Sequence, residues 1–371
     1  MVLGYNMIAG ATTSDMGRRA GGSPGWKNEA KMSILTAMLK EPLPRLDNAP
    51  ELYEQLLPFC RLQPGEIWQD STAGHRVGLI DATDSEQLSA LVDAEAPGSR
   101  QACQGELPGL TPITLAITDP PYNIKVGKKR SQALSKRSIE AYIDFSRRWV
   151  ANVIDLLAPN SHLYIWLGAD QSEGFQPLPE FMIMMREFPQ LRSRSYITVR
   201  NQRGYGTQKN WMCARQELLY YTRGNPPFHV VYTEIPKVLK GYYKTIGGRR
   251  TENLERSKAD TIRPANVWID IQQVFYRMDE NVPGVYAQKP LKAIERIIRS
   301  SSDPGDIIID CFAHSGSTLI AAEKTGRTCY TGDIDPVFAE LTIRRLERYR
   351  KTGKTGWQCE HPFPELDEKR G

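Results

Sequence analysis

The sequence predicts an α/β protein built on an open, mixed but mostly parallel sheet with helices on both faces. Three observations predict it. Short apolar runs such as Ile113-Thr-Leu-Ala-Ile-Thr118 have the unbroken hydrophobicity of strands covered on both sides. At both ends of the chain such runs alternate with helical patterns. Between the two ends a basic, aromatic block breaks the alternation and reads as an insertion.

Taken in order, residues 1–30 are rich in Gly, Ser and Thr and have no hydrophobic period, which predicts a mobile arm. Lys31 to Leu39 and Glu51 to Leu57 give short helices closed by Pro42, Pro44 and Pro58. Val77 to Asp81 reads as a strand ending in a carboxylate, and Ser85 to Val92 as the helix after it. A Gly/Pro-rich loop, Ala96 to Pro112, leads to the strand Ile113 to Thr118, which ends at Asp119-Pro-Pro-Tyr122. Ile139 to Leu157 places Ile143, Trp149, Val150, Val153 and Ile154 on one helical face. His162 to Leu167 is the next strand and Phe181 to Phe188 a further helix. Leu218 to Tyr221 reads as a buried strand, so Trp211, Tyr220 and Tyr221 are expected in the core. Leu291 to Ser300 is helical, Asp306 to Asp310 a strand, Ser317 to Lys324 a helix, Thr328 to Thr331 a strand and Pro336 to Arg350 a final helix.

Composition sets the outer bounds. Of 371 residues, 40% are apolar and 25% charged, which excludes wholesale disorder. No apolar run approaches the ~18 residues of a membrane-spanning helix, and the N-terminus lacks the pattern of a secretory signal. A soluble, cytoplasmic protein is expected. Six cysteines occur without a CxxC pair and five histidines without metal-ligand spacing, so neither a disulfide framework nor a metal site is expected. The net charge of +5 is uneven: residues 192–263 carry a local +10, leaving −5 elsewhere. A basic block in an otherwise acidic chain points to a polyanion at one face.

Ligands of open α/β sheets bind beyond the carboxyl ends of the strands, and two polar clusters fall there. In Asp119-Pro-Pro-Tyr122 two prolines remove two backbone donors. The Asp119 carboxylate and the Pro120 carbonyl remain as acceptors beside the flat ring of Tyr122. That suits a planar group with an exocyclic amine, as on adenine or cytosine. In Asp310-Cys-Phe-Ala-His-Ser-Gly-Ser317, small residues join a strand to a helix N-terminus able to hold a carboxylate. It fits neither GxGxxG nor a P-loop; Gly353-Lys-Thr355 also fails as a P-loop because Arg348 occupies the place of the upstream glycine. Asp333 follows the next strand, where an acidic residue grips ribose hydroxyls in doubly wound folds. A nucleoside with a carboxylate tail satisfies both ends, and S-adenosylmethionine is such a molecule.

These motifs resemble those of the S-adenosylmethionine-dependent amino-group DNA methyltransferases of the N6-adenine/N4-cytosine type, in the permuted order with DPPY before the cofactor motif. Asp119, Pro120, Pro121 and Tyr122 match the catalytic tetrapeptide. Gln288, Lys289 and Pro290 resemble the stretch before the cofactor strand, Asp310 to Ser317 the family's DPFxGSGT, and Asp333-Ile-Asp-Pro336 its acidic ribose-binding turn. Asp81 and Ala82 are similar to a strand end near the cofactor's adenine. The sequence departs from the pattern at Ile80, Cys311, His314 and Ser317, where glycine, proline, glycine and threonine are usual. The resemblance spans roughly residues 77–350.

The resemblance implies a Rossmann-like methyltransferase fold with an inserted target-recognition region. The implied divisions are an N-terminal extension 1–66, a catalytic half 67–191, a target-recognition insertion 192–263, a cofactor-binding half 264–352 and a C-terminal tail 353–371. It implies Asp81, Ala82, Gln288, Lys289, Pro290, Asp310, Phe312, Ala313, His314, Ser315, Gly316, Ser317 and Asp333 as cofactor-binding residues. The target base is flipped from the duplex and stacked on Tyr122, while Asp119 and the Pro120 carbonyl accept its amino hydrogens. Aspartate at the first position goes more often with N6-adenine. Arg200, Arg203, Lys209, Arg249 and Arg250 are candidate DNA contacts. Double-stranded DNA is the implied partner, with a second copy of the chain and a restriction endonuclease as further candidates. The implied setting is the nucleoid of a prokaryote or a phage-encoded equivalent. Methylation of cytosine N4, RNA or a protein glutamine remains an alternative, as does a DNA-binding subunit with a dead active site.

Overall fold

The computed structural model describes residues 43–46, 49–93, 113–122, 138–168, 177–205, 211–237, 241–254 and 259–368. The chain divides into units 1–41 and 42–371, and every described residue lies in the second. The expected arm over 1–30, the helix Lys31 to Leu39 and the loop Ala96 to Pro112 fall outside the described residues.

Helix α1 (Pro50–Leu56) leads to strands β1 (Ile67–Gln69) and β2 (Arg76–Leu79), helix α2 (Ser85–Asp93) and strand β3 (Ile113–Thr118). Helix α3 (Ile139–Leu156) begins where the Ser138 hydroxyl accepts from the Ala141 N–H at 3.2 Å, and its Tyr142, Trp149, Val150, Val153 and Ile154 are buried. It passes directly into β4 (Leu157–Leu167). That strand starts five residues earlier than His162, because Leu157 already has extended dihedrals at the helix end. Helix α4 (Pro177–Met184) likewise starts before Phe181 and gives way to a 3-10 turn over Met185–Glu187.

Strands β5 (Leu191–Tyr205) and β6 (Cys213–Arg223) form a long hairpin. Strands β7 (Gly241–Ile246) and β8 (Arg249–Leu254) form a second hairpin, followed by β9 (Val267–Trp268). The C-terminal part follows as α5 (Leu291–Ser301), β10 (Ile307–Asp310), α6 (Ser317–Thr325), β11 (Thr328–Asp333), α7 (Pro336–Thr352) and a short α8 (Glu365–Glu368). Helix α7 carries Pro336 in its first turn, an Asp335 side chain accepting from the Val337 N–H, and Gly353 in left-handed conformation after its end.

The strands make one nine-stranded sheet in the order β1-β2-β11-β10-β3-β4-β6-β5-β9, with β7-β8 apart. Strands β2, β11, β10, β3 and β4 run parallel, and β6 turns antiparallel to β4. One core cluster lies under α5, α6 and α7, the other under α2, α3 and α4. This is the Rossmann-like fold expected, with helices on both faces. A third cluster packs Leu52 and Leu56 of α1 and the C-terminal Trp357, Phe363 and Leu366 against Val337 and Leu341 of α7. Among the described residues no helix is long and apolar enough to cross a membrane.

The segment 192–263 does not stand wholly apart. Its first part supplies β5 and β6 of the main sheet, where Tyr220 and Tyr221 are buried as expected. Trp211 is not in the core: it is 94% exposed. The reason is register. The last β4–β6 pair is Leu167 with Glu217, so residues before Glu217 project past the carboxyl edge of the sheet with no strand of β4 beside them.

Candidate active site

Strand register assembles the site. Ile309 of β10 lies opposite Ala116 of β3, Asp310 opposite Thr331 of β11, and Thr118 opposite Ile165 of β4. Continuing each strand by one or two residues brings Asp119, Asp333 and Trp166 to a common edge on either side of Asp310. That edge is the carboxyl end of the parallel strands, where doubly wound sheets bind ligands.

Asp119 is the first residue after β3. Its Oδ1 accepts from the Tyr122 hydroxyl at 2.7 Å and its Oδ2 from the Lys289 ammonium at 2.7 Å. Lys289 is only 6% exposed, and its Nζ lies 5.0 Å from the Tyr122 ring centroid and 5.5 Å from that of Trp166. Burial, with the Asp119 charge beside it, pushes the Tyr122 phenol well above its ordinary pKa, so it remains a donor. Pro120 and Pro121 contribute no N–H, which leaves this turn rich in acceptors.

The loop from Asp310 to Ser317 is braced from within. Asp310 accepts from the Phe312 N–H at 3.1 Å and the Thr318 hydroxyl at 2.5 Å. The Ala313 N–H donates to the Gly332 carbonyl at 2.8 Å and the His314 N–H to Asp333 Oδ2 at 2.8 Å. His314 has φ 47, a left-handed conformation that glycine adopts freely and histidine tolerates better than most residues. Its ring rests edge-on against Phe338 of α7, with centroids 4.8 Å apart. Gly316 has φ 71, and a Cβ there would meet Thr342 at 3.0 Å, so this glycine lets α7 close on the loop.

Beneath the loop lies Arg345 of α7, fully buried. It donates to the carbonyls of Ser315 (2.7 Å), Thr355 (2.7 Å) and Glu280 (3.0 Å) and to Ser317 Oγ (3.1 Å). Burial pulls its guanidinium down to about 10. Burial also pushes the Asp310 carboxyl up to about 8, the nearby charges of Asp119 and Asp333 adding to it against the Thr318 and Phe312 hydrogen bonds. Asp333 is pushed up to about 7 by burial and by the charge of Asp335.

Of the residues singled out in the sequence, Asp119, Lys289, Asp310, Phe312, Ala313, His314, Ser315 and Ser317 line one cavity of about 20 Å³. Tyr122 reaches it through Asp119, and Asp333 through the His314 amide. Others sit behind it. Gln288 braces the preceding turn, accepting from the Val282 N–H at 3.0 Å and donating to the Glu280 carbonyl at 2.6 Å. Pro290 precedes α5 at its N-cap. Asp81 accepts from the N–H and hydroxyl of Thr83, both at 2.8 Å, and Ala82 is buried beside it. They lie past the end of β2, next to β11. Arg200 on β5 and Arg249 on β8 are exposed, Arg203 and Arg250 lie in the same strands, and Lys209 is outside the described residues.

Trp166, Thr318 and Arg345 were not singled out. Trp166 had a signal: it sits at the end of the strand beside the one carrying Asp119. Arg345 had none, since an arginine in a charged helix reads as solvated.

Residues 113–344 match the family model of the DNA methylases, N6/N4 methyltransferases. The chain belongs to this DNA methylase family. Among its relatives are the Type II methyltransferase M.HpaI of Haemophilus parainfluenzae, 27% identical over 63% of this chain and 68% of that protein, and M.BamHI of Bacillus amyloliquefaciens, 28% identical over 58% of this chain. The match spans about half of M.BamHI, 48%. The DNA adenine methyltransferase YhdJ of Escherichia coli is 28% identical over 63% of this chain and 76% of that protein. Among solved structures, the PvuII DNA methyltransferase (cytosine-N4-specific) aligns with a TM-score of 0.45 and 16% identity, over 63% of this chain and 79% of that one. In this DNA methylase the two polar clusters, Asp119–Tyr122 and Asp310–Ser317, meet at a single edge of one sheet.

Proposed function

We propose that the chain transfers a methyl group from S-adenosylmethionine to the N6 amino group of an adenine flipped out of duplex DNA, within a short specific sequence. The observation that carries this reading is the Asp119 carboxylate, standing with Tyr122 just after β3 and directly beside the Asp310–Ser317 loop at the end of β10. The residues present suit the cofactor. The carboxyl groups of Asp119 and Asp310 line the cavity where a sulfonium would sit, and Asp333, behind the His314 amide, offers acceptors for ribose hydroxyls. The N-terminus of α6 with Ser315 and Ser317 suits a carboxylate.

Bound there, the cofactor supplies an electrophilic methyl group; this chain's residues do the rest. Tyr122 stacks on the flipped base, whose extrusion costs roughly a few kcal/mol. Asp119 and the Pro120 carbonyl accept the two amino hydrogens, which draws the nitrogen lone pair out of conjugation with the ring. The nitrogen–carbon bond forms as the carbon–sulfur bond breaks, and the surplus proton leaves the amine for water. Orientation and fixed acceptors supply the rate.

In this reading residues 67–191 and 264–352 are the catalytic and cofactor halves. DNA is recognised from 192–263, whose β5–β6 hairpin both joins the main sheet and reaches beyond it. The aspartate at position 119 and the name of the YhdJ relative support adenine.

Sequencing with modification detection on plasmid DNA from cells expressing the chain, beside Asp119→Ala, tests the proposal. The expected result is N6-methyladenine at one motif, lost in the variant while cofactor binding persists. N4-methylcytosine would replace the base assignment, and absence of any modification would overturn the reading.

A further inference from the structure

Both oxygens of the Asp119 carboxylate are engaged by the protein's own donors, Tyr122 on one and Lys289 on the other. The ammonium also lies against the ring on which a base would stack. A base amine that donates to Oδ2 must share that oxygen with the Lys289 ammonium, whose charge repels the positive charge that develops on the amine as it is methylated. Asp119 and Lys289 both line the cavity of about 20 Å³.

The Lys289 carbonyl accepts from the Ser317 hydroxyl at 3.0 Å, and Ser317 is the first residue of α6. Lys289 is thereby fastened to the helix terminus that suits the cofactor's carboxylate, and only its flexible four-carbon stem is free to swing. From one anchored Cα the ammonium reaches Asp119 in the empty site. A carboxylate arriving at the α6 terminus comes to that same anchor. Left on Asp119, it would share one carboxylate with a sulfonium and with the charge developing on the attacked amine. Moved to the incoming carboxylate, it leaves each cation with an anion of its own.

We propose that Lys289 is a coupling residue with two positions, paired with Asp119 in the empty site and with the carboxylate of the bound cofactor in the loaded one, so that cofactor binding uncovers Asp119 for the base. This rests on the methyltransferase reading and adds an order to it: cofactor first, base second. The coupling is reciprocal, so whatever removes Lys289 from Asp119 in the empty site favours the cofactor.

The test uses S-adenosylhomocysteine, whose neutral sulfur removes any direct attraction to Asp119, and 5′-methylthioadenosine, which lacks the carboxylate. Calorimetric titrations of the whole chain compare wild type, Asp119→Asn, Lys289→Met and the double variant. Asp119→Asn is expected to tighten S-adenosylhomocysteine binding severalfold, because the ammonium no longer has a competing partner. Lys289→Met is expected to weaken it about ten- to hundredfold, the worth of a charge-assisted hydrogen bond. In the Lys289→Met background Asp119→Asn should change nothing, giving a non-additive cycle. Binding of 5′-methylthioadenosine should be the same in all four, which also reports an intact fold. Unchanged or weaker binding by Asp119→Asn, or an additive cycle, would overturn the coupling alone. Failure of all four proteins to bind S-adenosylhomocysteine would overturn the methyltransferase reading and the coupling with it.

Discussion

The hydroxyl of Tyr122 donates to Oδ1 of Asp119 at 2.7 Å, so the ring proposed to stack a base also aims the carboxylate proposed to receive its amine. The two residues between them are the prolines of the turn, and the bond closes that turn on itself. Stacking and hydrogen-bond acceptance are therefore properties of one rigid unit.

Replacing Tyr122 by Phe keeps the ring and removes the bond. Single-turnover methylation should slow by about tenfold, the worth of one hydrogen bond to a charged group, with cofactor affinity unchanged. Tyr122→Ala removes the stacking surface as well and should cost more. Equal rates for wild type and Tyr122→Phe would show that Asp119 needs no such brace.

The carboxyls of Asp310 and Asp333 give the site a pH signature. Both are raised by burial, to about 8 and about 7. In the empty protein each is protonated at a pH where the unfolded chain has already lost the proton. Their contribution to stability is thus full below the unfolded value of ~4 and is lost as pH rises through 7 and 8. A bound cation reverses the preference by favouring the ionised form. Thermal unfolding should therefore show the shift produced by S-adenosylmethionine growing from pH 6 to pH 8.5, and Asp333→Asn should flatten the trend. A shift independent of pH would mean that these carboxylates do not face the ligand's charge.

Arg345 is buried among neutral oxygens of Ser315, Ser317, Glu280 and Thr355. Arg345→Met takes this donor from the Ser315 and Thr355 carbonyls, while the Glu280 carbonyl keeps Gln288, at about 1–3 kcal/mol for a buried group left unsatisfied. Denaturant unfolding should report a loss of at least that size. The loop that the guanidinium supports should also bind S-adenosylhomocysteine more weakly, with Arg345→Lys recovering less than half of the loss because an ammonium cannot span all four acceptors.

How much of this was legible in the sequence follows from the range of the interactions involved. The acceptor-rich Asp119-Pro-Pro-Tyr122 turn and the small-residue loop before Ser317 are local chemistry, readable from a few adjacent residues. Strand ends such as Thr118 and Asp310 were also readable, because β-branched runs stop at a polar residue. What brings Asp119 level with Trp166, or Lys289 onto Asp119, is the register of β3, β4 and β10, which no local pattern encodes. Arg345 is a buried cation on a helix otherwise rich in surface charge, and only the loop packed over it reveals its burial. Trp211 failed in the opposite sense: aromatic character suggested core, but β6 outruns β4 by several residues and leaves it in solvent. His314 shows a departure from the family pattern explained after the fact, by a left-handed φ that the family's glycine would adopt at no cost.

That departure is itself testable. His314→Gly should be tolerated, with stability changed by less than about 1 kcal/mol, because relief at φ 47 offsets the lost contact with Phe338. His314→Val should lower stability by roughly 1–2 kcal/mol, since a β-branched residue is poorly accommodated there. Melting curves of the two variants with and without S-adenosylhomocysteine separate backbone strain from ligand contact. Equal behaviour of glycine and valine would remove the strain argument.

The basic surface makes a prediction about salt. Arg249 is exposed at the start of β8, directly after the turn Gly247-Gly248, whose φ values of 58 and 75 are those of a tight hairpin that only glycine-like residues enter easily. Arg200 is exposed on β5, the long strand between β6 and β9 of the main sheet. If both meet phosphates, each arginine removed by Arg200→Ala or Arg249→Ala should weaken DNA binding at all sequences. Each should also reduce the slope of log affinity against log salt by about one. Cofactor affinity should not change, because neither side chain lines the cavity. A variant that keeps the slope but loses discrimination between sequences would instead place its arginine on a base edge. A variant that alters neither would leave that arginine in solvent and confine recognition to the rest of the segment.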